Sequence, residues 1–387
     1  MTTMLELTPR DPIVSRDGRP FGAGQGNRMR SAGWLLPSVV AGSLRSTIGK
    51  EAQREFSAAT TQELLQVEVA GVFPQADGTL FLPAPQDCVF HPIHGPLRVA
   101  PQAIEEGGCD WPVAGLSPVG LTEDQAPDDF KPLDRPAWWP VDRYAAWLTN
   151  REFGFDNRFL RAAEVELRAH VQLDPDTGAA EDGNLFTTAA LPLTHLPRYA
   201  ALPHSARSSR FAAITLAGRV RAEGWCAETT AALDTLHPLG GERRLVHWMA
   251  TAGEGAWTCP QQLCERLSSA SKVRMVLATP AVFADGWKPM WLNEDLVGTP
   301  PGAEVTLKLV AVSIERWQAV SGWSLSSLPN QPRGPKPVKR LVPGGGIYFF
   351  EVVDGPALSL SARWLEPVSD DPQDCRDGFG LAVWGVW

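Results

Sequence analysis

Residues 36–46 have the sequence LPSVVAGSLRS, and this stretch decides how the first part of the chain folds. Pro37 suits the first position of a helix, where a backbone N–H would have no intrahelical partner. Apolar residues then recur at helical spacing, which predicts a helix with one apolar face. They are Val39, Val40, Leu44 and Ile48. The alternation at Met4–Leu7 before this helix and the apolar run Val67–Phe73 after it predict flanking strands.

A second succession of strands and helices follows in the C-terminal half. The alternation patterns and turn residues predict the following elements: a short helix at 138–150, strands at 165–173, 184–193 and 211–220, a helix at 229–236, a strand at 242–250, a helix at 260–269, and strands at 272–279, 304–316 and 347–353. Residues 83–140 are dominated by proline, glycine and acids, which predicts an insertion with little regular structure. Together these patterns indicate an α+β fold with mostly antiparallel sheets. We predict two domains, residues 1–210 and residues 211–387.

Composition excludes several classes of protein. The chain has 387 residues, of which 44% are hydrophobic and 20% charged, as in ordinary globular proteins. Its strongest apolar stretch, 34–42, is interrupted by Pro37 and is far shorter than the ~20 residues of a membrane span. The N-terminus lacks the basic-then-apolar pattern of a secretory signal. Six cysteines are too few for a disulfide scaffold in a chain of this length. We therefore expect a soluble, cytoplasmic protein.

Charge is unevenly distributed along the chain. The net charge of −9 argues against nucleic-acid binding through overall charge, but residues 10–50 carry +5. All seven charged residues between 105 and 129 are acidic, whereas residues 317–350 contain no acid. A protein that grips a polyanion on one face and meets basic partners on another would show this segregation. Solvated loops of opposite sign are the alternative.

Motifs for catalysis and for cofactors are weak. GAGQG (Gly22, Gly24, Gly26) neither follows a strand directly nor opens a helix, so it does not predict a dinucleotide site. Cys88, His91, His94 and Cys109 are possible zinc ligands, but their spacing is uncommon and we predict no metal. No nucleophile motif, metalloprotease motif or P-loop is present. A metal-independent ribonuclease needs only one well-placed histidine, so that alternative stays open.

Three segments are better candidates for contacts with nucleic acid than for catalysis or cofactor binding. Hydroxyls and a cation near the start of the predicted helix form a potential phosphate site, with helix capping as the alternative. The sequence GGERR places two arginines beside flexible glycines, although a hairpin turn would also explain it. The segment 334–350, GPKPVKRLVPGGGIYFF, combines basic residues with three glycines entering a strand. Aromatic residues at 21, 34, 323 and 348–350 could stack on bases, but most of them are expected in the core.

These segments also carry a resemblance. RDGRPFG (16–22), LPSVVAGSLRS, LDPDTGAAEDGNLFTT (173–188), PLGGERR (238–244), LATPAVFADGW (277–287), GPKPVKRLVPGGGIYFF and GFGLAVWGVW (378–387) follow one another along nearly the whole chain. In this order and spacing they resemble the Cmr family of CRISPR type III-B RAMP proteins, and in particular the subunit that caps the 5′ end of the guide RNA.

The resemblance implies two ferredoxin-like (RRM-related) domains with long Pro/Gly-rich insertions and a non-catalytic role without cofactors. It implies contacts with the 5′ handle of the guide RNA (crRNA), with the large polymerase/cyclase-like subunit and with the backbone RAMP subunit, and indirectly with target RNA. The RNA-binding residues that it implies, together with the basic N-terminal segment, are Arg16, Arg19, Arg28, Arg30, Ser38, Ser43, Arg45, Ser46, Gly240, Gly241, Arg243, Arg244, Lys336, Lys339, Arg340, Gly344, Gly345 and Gly346. The alternatives are a guide-processing endoribonuclease and a protein scaffold that bridges subunits through its acidic segment.

Overall fold

A computed structural model describes residues 1–17, 27–103, 115–121, 130–153, 158–199, 210–253, 255–324 and 333–387. Arg19, the GAGQG glycines, Cys109 and all seven acids of segment 105–129 lie outside these ranges. Among the described residues, none of the helices has both the length and the apolar composition needed to cross a membrane.

The described residues form many short strands and few helices. The helices are α1 (Pro37–Glu51), α2 (Ala58–Leu65), α3 (Val141–Leu148), α4 (Gly224–Ala231), α5 (Gln261–Leu267) and α6 (Pro372–Asp377). The strands are β1 (Thr2–Pro9), β2 (Asn27–Arg28), β3 (Glu68–Ala76), β4 (Thr79–Pro83), β5 (Cys88–His91), β6 (Gly95–Pro101), β7 (Val119–Leu121), β8 (Trp138–Pro140), β9 (Glu166–Leu173), β10 (Ala180–Ala190), β11 (His195–Pro197), β12 (Phe211–Ala213), β13 (Thr215–Arg221), β14 (Asp234–Pro238), β15 (Leu245–Thr251), β16 (Lys272–Leu277), β17 (Val297–Gly298), β18 (Thr306–Ser313), β19 (Gln318–Val320), β20 (Trp323–Ser324), β21 (Gly334–Pro335), β22 (Lys339–Leu341), β23 (Ile347–Asp354), β24 (Glu366–Pro367) and β25 (Leu381–Val386).

The first large sheet has seven strands in the order β14-β15-β1-β13-β3-β4-β8. Its four central strands, β1, β3, β13 and β15, are antiparallel to their neighbours, and in chain order they occupy the positions 4-1-3-2. Helix α1 follows the first of them and α4 follows the third. Strands as late as Thr251 belong to this sheet, so the predicted division at residue 211 falls inside it.

The second large sheet has six strands in the order β17-β18-β23-β16-β25-β24. Its central strands β16, β18, β23 and β25 repeat the 4-1-3-2 arrangement, and they too are antiparallel. No helix separates β16 from β18 among the described residues, whereas α6 lies in the connection before β25. The chain thus repeats one strand order in two sheets, and the predicted α+β class with mostly antiparallel sheets is confirmed in this coarse form.

Two element predictions were wrong. The segment predicted to have little regular structure contains β5, β6 and β7, which form a three-stranded sheet, and β8, which joins the first large sheet. The helix predicted at 229–236 instead begins at Gly224 and ends at Ala231. The following residues form the edge strand β14, because they pair with β15.

Two hydrophobic cores lie beside the large sheets. The apolar residues predicted on α1 fill the first core, where Val40, Leu44 and Ile48 are buried. Tyr348 and Phe350 fill the second core, so these aromatic side chains are not available for stacking on a base. Phe349 points to the other side of its strand and joins the first core. The two sheets therefore share apolar contacts.

Candidate nucleic-acid interface

The start of α1 satisfies most of its polar groups within the chain. Ser43 Oγ donates to the carbonyl of Pro238 at 2.6 Å, which joins the helix to β14, and Ser46 Oγ donates to Gly42 O at 2.9 Å. Ser38 is half-buried in the first turn, and the helix begins without a side-chain cap. Of the three predicted hydroxyls, only that of Ser38 makes no hydrogen bond among the described residues.

Arg45 lies inside the protein. Its Nη1 is 2.5 Å from Asp377 Oδ1 of α6, and its Nη2 donates to Val67 O at 2.7 Å and to Arg376 O at 3.3 Å. Both charged side chains are nearly buried, at 8% and 12% exposure. A guanidinium with these partners ties α1 to the C-terminal connection and does not face a ligand. We therefore leave Arg45 out of the candidate interface.

The sequence GGERR forms the hairpin turn between β14 and β15. Gly240 has a φ of +75°, and a Cβ there would lie 2.4 Å from the carbonyl oxygen of Val14. Gly241 N donates to that same oxygen at 2.8 Å. The glycines are thus required by close backbone packing. Arg244 pairs with Glu242 at 2.6 Å, whereas Arg243 is exposed at the tip of the turn.

The segment after β1 brings this turn to the N-terminal arginines. Val14 pairs with Gly241, and two residues later Arg16 pairs with Ser31, the neighbour of Arg30. Two residues of extended chain span only ~7 Å. Arg28 lies in β2, beside β10. We call the exposed side chains of Arg16, Arg28, Arg30 and Arg243 the arginine patch.

The three consecutive glycines 344–346 serve internal packing. Gly345 has a φ of +87°, its N donates to Leu277 O at 2.6 Å, and its O accepts from Gln86 N at 2.9 Å. A Cβ on this residue would lie 2.3 Å from Ala84 O. The turn therefore fastens the loop after β4 to strand β16. This contact accounts for the glycine at 345, and it occupies both the N–H and the carbonyl of that residue.

The basic residues before these glycines divide between two faces of a ribbon. Lys339 Nζ contacts both carboxylate oxygens of Asp374, at 2.6 and 2.7 Å. Arg340, the next residue, places its guanidinium 5.0 Å from the ring centre of Trp317. Lys336 is exposed and is held through its backbone, which donates to Gly322 O at 2.8 Å. Lys339 is therefore neutralised, while Arg340 and Lys336 face solvent.

A buried ion pair that the sequence did not predict joins the loop after β4 to strand β16 of the second large sheet. Asp87 is fully buried, contacts Arg274 of β16, and accepts from Trp147 Nε1 at 2.7 Å. Arg98 lies over the Trp147 ring at 3.7 Å. Burial and the nearby Arg274 charge lower the pKa of Arg98 to about 9. Arg274 and Asp87 are 187 residues apart in the chain, so no local pattern could have paired them.

The possible zinc ligands are used otherwise or are not described. Burial, reinforced by the Asp87 charge, raises the pKa of the Cys88 thiol well above its usual value. His91 Nδ1 accepts backbone hydrogen bonds from Ile93 and His94, both at 3.0 Å. Among the described residues, no three His, Cys, Asp or Glu side chains are grouped as metal ligands.

Comparison with known proteins gives one family and several distant structures. A family model described as CRISPR-associated protein (Cas_Cmr3) matches residues 5–387. No curated protein matches significantly. A chain of the cryo-EM structure of the type III-B Cmr-beta bound to cognate target RNA and AMPPnP is 11% identical, with a TM-score of 0.46, over 89% of this chain and 86% of that one. A chain of the crystal structure of the Csm3-Csm4 subcomplex in the type III-A CRISPR-Cas interference complex is 10% identical, with a TM-score of 0.37, over 91% of this chain and 95% of that one.

Proposed function

The chain belongs to the Cas_Cmr3 family of CRISPR-associated proteins, the Cmr subunits of type III systems, and from this premise we propose that it holds the 5′ handle of the guide RNA in a type III-B effector complex. In this proposal it also joins the large polymerase/cyclase-like subunit to the backbone RAMP subunit, meets target RNA only indirectly, and has no catalytic role. We further interpret the two sheets with 4-1-3-2 strand order as two ferredoxin-like domains.

The arginine patch is the observation that carries the RNA-binding part of this proposal. Arg28, Arg30 and Arg243 are exposed and make no side-chain hydrogen bond or ion pair among the described residues. Packing brings them to one region although more than 200 residues of chain separate Arg30 from Arg243. Unpaired guanidiniums are suited to phosphate, because each presents several donors in a rigid fork. Arg45, Lys339 and Arg244 are already paired within the chain.

The test is to identify the RNA that touches this subunit in the assembled complex. The complex is purified with its guide, crosslinked, and only RNA attached to this chain is sequenced. One fixed repeat-derived 5′ sequence followed by varied spacers is the expected result. Random RNA would contradict handle binding, and adducts with protein alone would favour the scaffold alternative.

Charge reversal then tests the patch itself. Arg28→Glu and Arg243→Glu are compared with Arg266→Glu, which changes an exposed arginine on α5. Removing one cation that neutralises a phosphate of single-stranded RNA lowers the slope of log affinity against log salt by about 0.7. We expect that decrease, together with weaker guide binding, for the two patch variants and not for Arg266→Glu. Unchanged slopes in both patch variants would show that the patch does not bind RNA.

Metal-independent cleavage of guide RNA is the second candidate, and one pair of side chains supports it. His247 Nε2 lies 2.6 Å from Asp234 Oδ1, and both residues belong to the hairpin that carries Arg243. A carboxylate that orients a histidine is the arrangement of a general base. Cleavage of repeat RNA in the presence of a chelator, abolished by His247→Ala, would establish this activity. No cleavage at enzyme concentrations equal to substrate would dismiss it.

A further inference from the structure

The second basic segment belongs to a two-stranded ribbon. Strand β19 pairs with β22, and farther along β20 pairs with β21, with Lys336 N donating to Gly322 O between them. We call the paired segments 317–324 and 333–341 the C-terminal ribbon. Its inner face packs on the start of α1, because Val320 and Leu341 form a cluster with Leu36. The ribbon is therefore fixed to the body of the protein on one side.

Along β19 and β20, the two tryptophan side chains lie on the face opposite the one that packs on the start of α1. Val320 and Ser324 are buried, at 5% exposure each, whereas Trp317 is 48% exposed and Trp323 62%. Neighbouring side chains of a strand point to opposite faces, so Ala319 lies on the face opposite Val320 and Trp323 on the face opposite Ser324. We call this exposed face the outer face, and Trp317 lies on it too, because its ring is near Arg340, the partner of Ala319. The two indoles are six residues apart, or ~20 Å in extended chain. Between them in the chain, Ala319 and Ser321 have small side chains, and the paired segment carries the exposed Val338.

The same alternation places the basic side chains of the ribbon on different faces. Lys339 lies opposite Val320, on the inner face, and reaches Asp374. Arg340 lies opposite Ala319, on the outer face, and its guanidinium carbon is 5.0 Å from the centre of the Trp317 ring. At the far end of the ribbon, Pro335 pairs with Trp323, and the exposed Arg333 is two residues before Pro335. Residues 317–350 contain no acid that would repel a phosphate.

Trp317 and Trp323 are two large aromatic side chains that the ribbon leaves exposed to solvent. Burying an aromatic side chain of this size contributes strongly to stability or to binding. Here the guanidinium of Arg340 lies 5.0 Å from the centre of the Trp317 ring, and Arg333 is exposed on the segment that pairs with Trp323. Exposed rings and cations together are the combination found where single-stranded nucleic acid binds: a flat ring for a base and a positive charge for the backbone.

We propose that the outer face of the C-terminal ribbon is a stacking platform for unpaired bases of single-stranded RNA, with Trp317 and Trp323 as the two stacking rings. This inference rests on the proposed RNA-binding function, and it adds a second contact surface of a different kind. The arginine patch binds phosphate, whereas the ribbon recognises the faces of bases and tolerates any sequence.

The test compares two fluorescently labelled probes of equal length, oligouridine and an abasic oligoribonucleotide, binding to the full chain. Alanine substitution of a stacking aromatic costs about 1–3 kcal/mol per base. Trp317→Ala and Trp323→Ala should therefore each weaken oligouridine binding by about 5-fold or more. Binding of the abasic probe should stay the same, and Trp→Phe at either position should restore most of the affinity. Phe56→Ala removes an equally exposed ring on the loop between α1 and α2 and serves as the control.

The possible results separate this inference from the proposed function. Unchanged oligouridine affinity in the double alanine variant would overturn the platform, and so would an equal loss for the abasic probe or a wild-type chain that does not bind oligouridine. In the first two cases, weaker RNA binding by Arg28→Glu would still support the proposed phosphate contact of the arginine patch. If the tryptophan variants lose affinity only for the base-bearing probe while Arg28→Glu changes nothing, the platform stands and the arginine patch fails.

Discussion

Replacing Arg45 by methionine tests whether this residue holds the fold or holds RNA. The change keeps a long apolar stem and removes the charge that faces Asp377. Breaking one side of a buried ion pair typically costs 3–5 kcal/mol, because the remaining charge is left without compensation. Gln373 Nε2 still donates to Asp377 at 2.9 Å. We therefore expect the lower end of the range, a loss of about 3 kcal/mol in the free energy of unfolding.

Thermal unfolding followed by circular dichroism measures this loss. At ~2 °C per kcal/mol for a chain somewhat smaller than this one, Arg45→Met should lower the Tm by about 6 °C. Adding Asp377→Asn removes the uncompensated charge and should recover part of the difference, since the two side chains form one interacting pair. Arg266→Met, on the exposed surface of α5, should change the Tm by less than about 1 °C.

The RNA measurement decides between the two roles. If Arg45 is structural, the folded Arg45→Met protein binds guide RNA with the affinity and salt slope of the wild type. A normal Tm together with weaker RNA binding would refute this reasoning. It would mean that the Arg45–Asp377 pair opens at little cost and that the phosphate site expected from the sequence at the start of α1 is real.

Two further changes test other parts of the structure. Burial opposes ionisation of Glu366, but hydrogen bonds and charge from Arg221 outweigh it and lower the pKa of the carboxyl. A folded-state pKa below the unfolded value stabilises the protein above the unfolded value, near pH 4.5, and this contribution is lost as pH falls through the folded pKa. Glu366→Gln should therefore lower the Tm at pH 7 and flatten its decline below pH 5; an unchanged pH profile would contradict the assignment. Gly345→Ala should cost about 2 kcal/mol or more, because it adds a clash with Ala84 O to the strain of a positive φ. Gly178→Ala, at a positive φ in open space, measures the strain alone, and equal Tm losses for the two alanine variants would exclude the clash.

Local pattern was sufficient to predict the first helix and most of the long strands. Helix α1 begins at the proline that predicted it, and β9, β16 and β18 lie where alternation placed them. Pairing over long distances was not predictable. Strands β13 and β15 pair with β1 although more than 200 residues of chain separate them from it, so residues on both sides of the predicted division at 211 belong to one sheet. Similarly, β14 is a strand only because β15 supplies its partner.

The candidate site shows the same limit at the level of side chains. A cation in a motif is equally consistent with a phosphate contact and with a carboxylate elsewhere in the fold. Asp377 is 332 residues from Arg45, and Asp374 is 35 residues from Lys339. Nothing near either cation in the sequence identifies these partners. Arg28 lies in the same basic segment as Arg45, and Arg340 lies in the same basic segment as Lys339. Only the fold shows that Arg28 and Arg340 are exposed.

RNA binding by the arginine patch and RNA binding by the C-terminal ribbon should depend differently on salt concentration. Phosphate contacts release counterions, so each patch arginine adds to the salt dependence of binding. Stacking on Trp317 or Trp323 transfers no charge, so removing an indole should lower affinity by the same factor at every salt concentration. A plot of log affinity against log salt should therefore keep its slope and shift downward for Trp323→Ala, but become less steep for Arg243→Glu. An equal decrease in slope for both variants would mean that the ribbon acts through Arg340 and Arg333 as a second phosphate site and not through its rings.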